Sequence, residues 1–302
     1  MRDFVKILFY FIATALLASL IAPPLYWLGT SWLHTLPGLG MLEETPFTRY
    51  FSRAFLVAAV LLLFPLVWWL KVRRLSELGL AKNPRRWEHF AWGFFLPIIM
   101  LWAYGFILLQ TPIYSMKDPL PWARLTNVLP TAFAVSTIEE LFFRGALLGL
   151  VLRTANKGVA VVLVSALFSI LHFLKPPDSA WEAGEVTWAS GFLLIPQAFH
   201  QFGEPLLVLG GFAVLFLLSI ILCDVTLRTR SLWLALGLHA GLIVAARSFS
   251  ILAQRHDTWL PWIGPELRVG VFSLILLGLM WLVLWLFVLR KKRVIAEDEK
   301  AV

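Results

Sequence analysis

Five ionisable side chains stand deep inside runs of apolar residues, and they are where this chain could do chemistry: Glu139, Glu140, Arg144, His172 and His239. A charge at the bilayer centre costs about 2.5–3.5 kcal/mol on insertion scales, and by default such groups mark a functional site inside a bundle. Glu140 and Arg144 are four residues apart, so on a helix they pair on one face in the favourable order, glutamate first. Glu139 is turned about 100° away, toward the face of Ser136 and Phe143, and is the carboxylate left over for chemistry. A carboxylate with two imidazoles suits water activation. The acid serves as general base, one histidine helps hold the water and hands a proton to a leaving amine, and another steadies an oxyanion. Glu139, His172 and His239 also make an open three-ligand zinc set with a fourth position for water. The metal-free version is preferred because only two histidines are at hand and neither has an evident carboxylate behind it. Singly, either histidine reads as an interhelical hydrogen-bond partner. Beside a paired-glutamate helix, the catalytic reading takes over.

Composition sets the class. Of 302 residues 60% are hydrophobic and only 15% charged, with mean hydropathy +0.80. Soluble domains run near 45–50% apolar and about 25% charged. The chain reads as one integral membrane domain over 1–302, an all-α polytopic bundle whose main partners are membrane lipids. The net charge of +8 does not point to nucleic acid. The basic residues gather in short loops and at the C-terminal end, as expected for an anionic membrane face. Cys223 is the only cysteine, which rules out an intrachain disulfide and a cysteine-based metal site.

A spanning helix needs about 20 mostly apolar residues. That rule predicts about eight transmembrane helices, near 4–28, 54–70, 90–110, 127–152, 158–174, 204–226, 231–251 and 269–289. The first run is longer than a signal-peptide core and passes into Pro23-Pro24, so it reads as an uncleaved span. Lys and Arg concentrate in alternate connections: Lys71, Arg73, Arg74, Lys82, Arg85 and Arg86; Arg153 and Lys157; Arg228 and Arg230; and the tail Arg290–Arg293. Glu43, Glu44, Asp118, Asp178, Glu182, Glu185, Asp257 and Glu266 fill the others. Positive residues stay inside, so both termini are expected to be cytoplasmic. The long connection 175–203 carries the apolar patch Trp188–Pro196 and predicts an interfacial helix or a lid. Gly237, Ala240 and Gly241 around His239 predict close approach of a neighbouring helix or a substrate. At about 1.5 Å per residue, His172 lies about 21 Å into its span and His239 about 12 Å, a difference that tilt or a broken helix must close.

Glu139-Glu140-x-x-x-Arg144, Phe168-x-x-x-His172 and the later His239 resemble, in order and spacing, the motifs of the CPBP intramembrane proteases, which include the CAAX prenyl endopeptidases and the bacterial Abi-type proteins. Leu78-Gly-Leu80 is similar to a segment that often precedes that core. The resemblance covers about residues 125–250, a protease-like core, with 1–124 and 251–302 as flanking helices. It implies that Glu139 activates water, that Glu140 and Arg144 support it, that His172 shares in holding the water, and that His239 stabilises the oxyanion. Phe168 belongs to the second motif. The family usually places a polar residue one turn after the last histidine, where this chain has Ile243. Arg247, one turn further, is the next polar candidate for a supporting role, although a snorkelling arginine is the plainer reading of it.

Three functional readings compete. The first is an intramembrane endopeptidase acting on a membrane-associated or lipidated peptide or protein, expected in a bacterial inner (cell) membrane. The second is a catalytically silent relative acting as a peptide-binding, immunity or scaffold protein, favoured by Ile243. The third is a proton-coupled transporter, disfavoured by the lack of an internal repeat.

Overall fold

The computed structural model describes residues 2–35, 42–71, 83–153, 155–181, 184–257, 259–264, 266–267 and 269–290. Leu78–Leu80, the basic residues Arg73, Arg74 and Lys82, Glu182, and the tail residues Lys291–Arg293 lie outside them. The helices are α1 (Arg2–Ser31), α2 (Phe47–Trp69), α3 (Arg86–Leu109), α4 (Val128–Glu140), α5 (Leu148–Val151), α6 (Lys157–Leu171), α7 (Ser190–Gln197), α8 (Pro205–Thr229), α9 (Trp233–Leu252) and α10 (Val271–Leu284). Two π-helical segments, Leu141–Leu147 and Trp285–Leu289, continue α4 and α10. One short antiparallel ladder pairs β1 (Tyr114–Met116) with β2 (Ala253–Arg255).

Among the described residues six helices are long and apolar enough to cross a membrane: Val5–Thr35, Phe47–Trp69, Arg86–Leu109, Pro205–Thr229, Trp233–Leu252 and Val271–Leu289. The fold is therefore the all-α polytopic membrane bundle. The expected fourth and fifth spans have a different character. Residues 128–151 form a continuous helical path, but it changes from α to π and back where it carries Glu139, Glu140 and Arg144. α6 has 15 residues, about 22 Å at the α-helical rise, short of a hydrocarbon core of about 30 Å.

The chain divides into two compact units, Met1–Arg73 with Ile170–Val208, and Arg74–Ser169 with Leu209–Val302. In the first, alanines on α1 and α2 (Ala18, Ala22, Ala54, Ala58) are fully buried and let the two helices approach around Phe47 and Phe51. The apolar patch in 175–203 becomes α7. It is docked on α1: Leu194 is fully buried, Trp188 meets Trp27 edge-on at 5.0 Å, and a β-carbon at Gly191 would collide with the Ser19 carbonyl oxygen. These residues build a short helix packed on α1.

In the second unit α3 and α9 touch backbone to backbone. A β-carbon at Gly237 would run into the Phe90 carbonyl oxygen and one at Gly241 into that of Phe94, while Gly93 opposes Leu234 and Leu238. The close approach expected around His239 is thus made by α3. α8 ends at Thr229, and the next residue, Arg230, with a φ of 50°, takes the chain into the left-handed region. Thr229 Oγ1 donates to the Val225 carbonyl at 2.7 Å, and the turn leads straight into α9. Asp224 on α8 accepts from Arg228 at 2.8 and 2.9 Å and from Trp281 Nε1 at 3.1 Å, tying α10 to α8. At the far end of α9, Lys117 Nζ donates to the Ser250 and Ile251 carbonyls at 3.0 and 2.8 Å, capping the helix beside the β1–β2 ladder.

Candidate active site

Glu140 is the last residue of α4 and Arg144 stands in the π-helical segment that follows. That segment is wider than an α-helix: the Leu148 amide bonds the Phe143 carbonyl, five residues back. π-helical insertions of this kind are frequent at functional sites. Here the widened turn accompanies two buried charges and two phenylalanines. Arg144 Nη1 donates to Glu140 Oε1 at 2.9 Å, and both side chains are 0% exposed. The ion pair expected from the four-residue spacing is therefore formed.

α9 delivers His239 to the same oxygen. Its Nδ1 lies 2.8 Å from Glu140 Oε1, and its Nε2 lies 3.9 Å from Glu139 Oε2. An ionised carboxylate only accepts hydrogen bonds, so the proton of the first contact sits on Nδ1 and Nε2 is turned toward Glu139. Glu139 is the more open of the two acids, with its side chain 21% exposed against 0% for Glu140. α6 supplies the floor. The Phe168 ring, fully buried, lies 4.4 Å under the Arg144 guanidinium carbon and 6.0 Å from the His239 ring. Cation–π contact of this kind is worth about 2 kcal/mol when desolvated.

Ser219 on α8 completes the row, its Oγ accepting from Arg144 Nη2 at 2.8 Å. Sequence reasoning missed it, since an isolated serine in an apolar helix carries no spacing signal. Glu140 Oε2 and Arg144 Nε have no hydrogen-bond partner among the described residues.

Glu139, Glu140, Arg144, Phe168 and His239 are thus brought together in the second unit. His172 belongs to the first unit and occupies, half-buried, the turn directly after α6. Ile243 is half-buried one turn beyond His239, and Arg247 is exposed on α9. Among the described residues no group of three or more His, Cys, Asp or Glu side chains is arranged to hold one metal ion. His239 and Glu140 are instead bonded to each other.

The family described as type II CAAX prenyl endopeptidase Rce1-like matches residues 121–245. No curated protein and no solved structure matches the chain. The matched stretch holds Glu139, Glu140, Arg144, Phe168, His172 and His239; within it Glu140 meets Arg144 and His239, and Phe168 lies against Arg144 and His239. That match, which spans less than half of the chain, supports a relation to the CPBP family of membrane proteases, the family of the CAAX prenyl endopeptidases.

Proposed function

We propose that the protein is an intramembrane endopeptidase that cleaves a peptide bond of a membrane-associated or lipidated substrate with a water activated by Glu139. The observation that carries this reading is the 3.9 Å separation of Glu139 Oε2 and His239 Nε2, behind which Glu140 and Arg144 are buried as an ion pair. A separation of that size invites a bridging water. Glu139 takes a proton from this water, and the hydroxide adds to the scissile carbonyl carbon. The tetrahedral oxyanion collapses, the C–N bond breaks, and the proton held by Glu139 goes to the departing amine. His239, anchored through Nδ1, presents Nε2 to the reacting atoms, where it accepts a hydrogen bond from the water and holds it for Glu139. Glu140 and Arg144 keep the imidazole in place. No step passes through a metal.

The test is cleavage of a mass-tagged peptide library, with prenylated and unmodified members, by the full chain in detergent. Glu139→Gln should lower turnover by about 10²–10⁴-fold, the usual worth of a general base, with the thermal unfolding midpoint preserved. Turnover that survives this substitution ends the assignment. Ile243, apolar where the family usually has a polar residue, favours a second reading: a peptide-binding relative without turnover. Saturable binding of library members with no product would establish that one.

A further inference from the structure

Ser219 lies outside the EExxxR, FxxxH and histidine motifs, yet it holds the far end of the charged row. The residue is fully buried, and its Oγ takes the Arg144 Nη2 proton at 2.8 Å while Nη1 serves Glu140 at 2.9 Å. A guanidinium beside a carboxylate prefers the two-pronged arrangement, both terminal nitrogens on both oxygens. Here that fork is not made: among the described residues Glu140 Oε2 has no hydrogen-bond partner, although Arg144 is bonded to its neighbour Oε1. Ser219 holds Nη2 away from it. The same Oε1 also carries His239 Nδ1 at 2.8 Å, so any turn of the carboxylate toward a forked pairing pulls on the imidazole.

We propose that Ser219 is a positioning residue for the hydrolysis, a role that rests on the reading above. Its hydroxyl keeps the Arg144–Glu140 pair single-pronged, which leaves Oε1 placed to hold His239 as its Nδ1–H tautomer with Nε2 facing Glu139. Ser219 itself touches no reacting atom. Without it, Nη2 swings onto Glu140 Oε2, the pair closes on itself and the imidazole loses its fixed orientation. The ion pair survives this change, so the loss falls on turnover and not on folding.

Two readouts on the full chain in detergent test this. The first is kinetics of Ser219→Ala and Ser219→Thr on a cleaved peptide. The second is nitrogen NMR of ¹⁵N-histidine-labelled protein, with His239 assigned by its loss in His239→Gln. Ser219→Ala should lower kcat about tenfold, as expected when a reacting group is slightly misplaced, with KM unchanged, an unfolding midpoint at or above that of the parent, and a diminished Nδ1–H tautomer signal from His239. Ser219→Thr, which restores the hydroxyl, should recover both kcat and the signal. An unchanged His239 signal in Ser219→Ala overturns the proposal whatever the kinetics, as does a rise in KM at constant kcat. The NMR readout does not depend on turnover, so a protein that cleaves nothing would refute the hydrolase reading and still decide this one.

Discussion

His239 is anchored to Glu140, with Nδ1 at 2.8 Å from Oε1, while the neighbouring Glu139 lies 3.9 Å from the opposite ring nitrogen. The two adjacent glutamates therefore meet the two nitrogens of one imidazole, and burial separates what they can do. The enclosed acid is bonded to Arg144 and to the ring; the more open one is the acid to which the proposed function gives the water.

Removing the charge of Glu140 leaves Arg144 buried without its counter-ion. Glu140→Gln should cost about 3–5 kcal/mol, the usual effect of breaking a buried pair from one side, read as a lower denaturation midpoint in detergent. Taking both charges away in Glu140→Gln/Arg144→Met should recover most of that stability. Cleavage should stay impaired in the double variant, because His239 has lost its anchor. Recovered activity there would show that the pair serves packing alone.

Gly237 has no room for a side chain against the Phe90 carbonyl. Gly237→Ala should push α9 off α3 and lower stability by about 1–3 kcal/mol, as overpacking does. Because His239 rides on the same helix, turnover should fall as well. Gly278, where a β-carbon meets nothing within 4 Å, is the control: Gly278→Ala should leave both properties unchanged.

Phe168 underlies Arg144 at 4.4 Å and faces His239 at 6.0 Å. Phe168→Leu keeps an apolar side chain but removes the ring face, and should lower stability by about 2 kcal/mol. Thermal unfolding of Phe168→Leu beside Phe168→Tyr checks this, since tyrosine retains the π face.

Lys117 caps the last turn of α9 through two carbonyls. Lys117→Met should destabilise by about 1 kcal/mol and speed hydrogen exchange of the amides around Ser250–Leu252, with cleavage unaffected because His239 lies several turns away along α9. A fall in turnover without faster exchange would contradict a capping role.

Much of this protein was legible in the sequence because membranes are strict about composition. Long apolar runs must become helices that satisfy their own backbone, so the polytopic all-α class and the approximate places of α1, α2, α3, α8, α9 and α10 follow from hydropathy. Charges in such runs are costly enough to announce themselves, which is why Glu139, Glu140, Arg144 and His239 stood out, and the Glu140–Arg144 pair followed from local helical spacing. Other features depended on helices far apart in the chain. The π-helical turn at Leu141–Leu147 has no composition signature, and α6 falls short of a full span although its residues are apolar. Which glutamate His239 grips is decided by how α9 seats on α3 and α4, a matter of glycine-to-backbone contact that no periodicity encodes. Ser219 is the clearest case: one hydroxyl in an apolar helix acquires meaning only once tertiary packing sets a guanidinium against it.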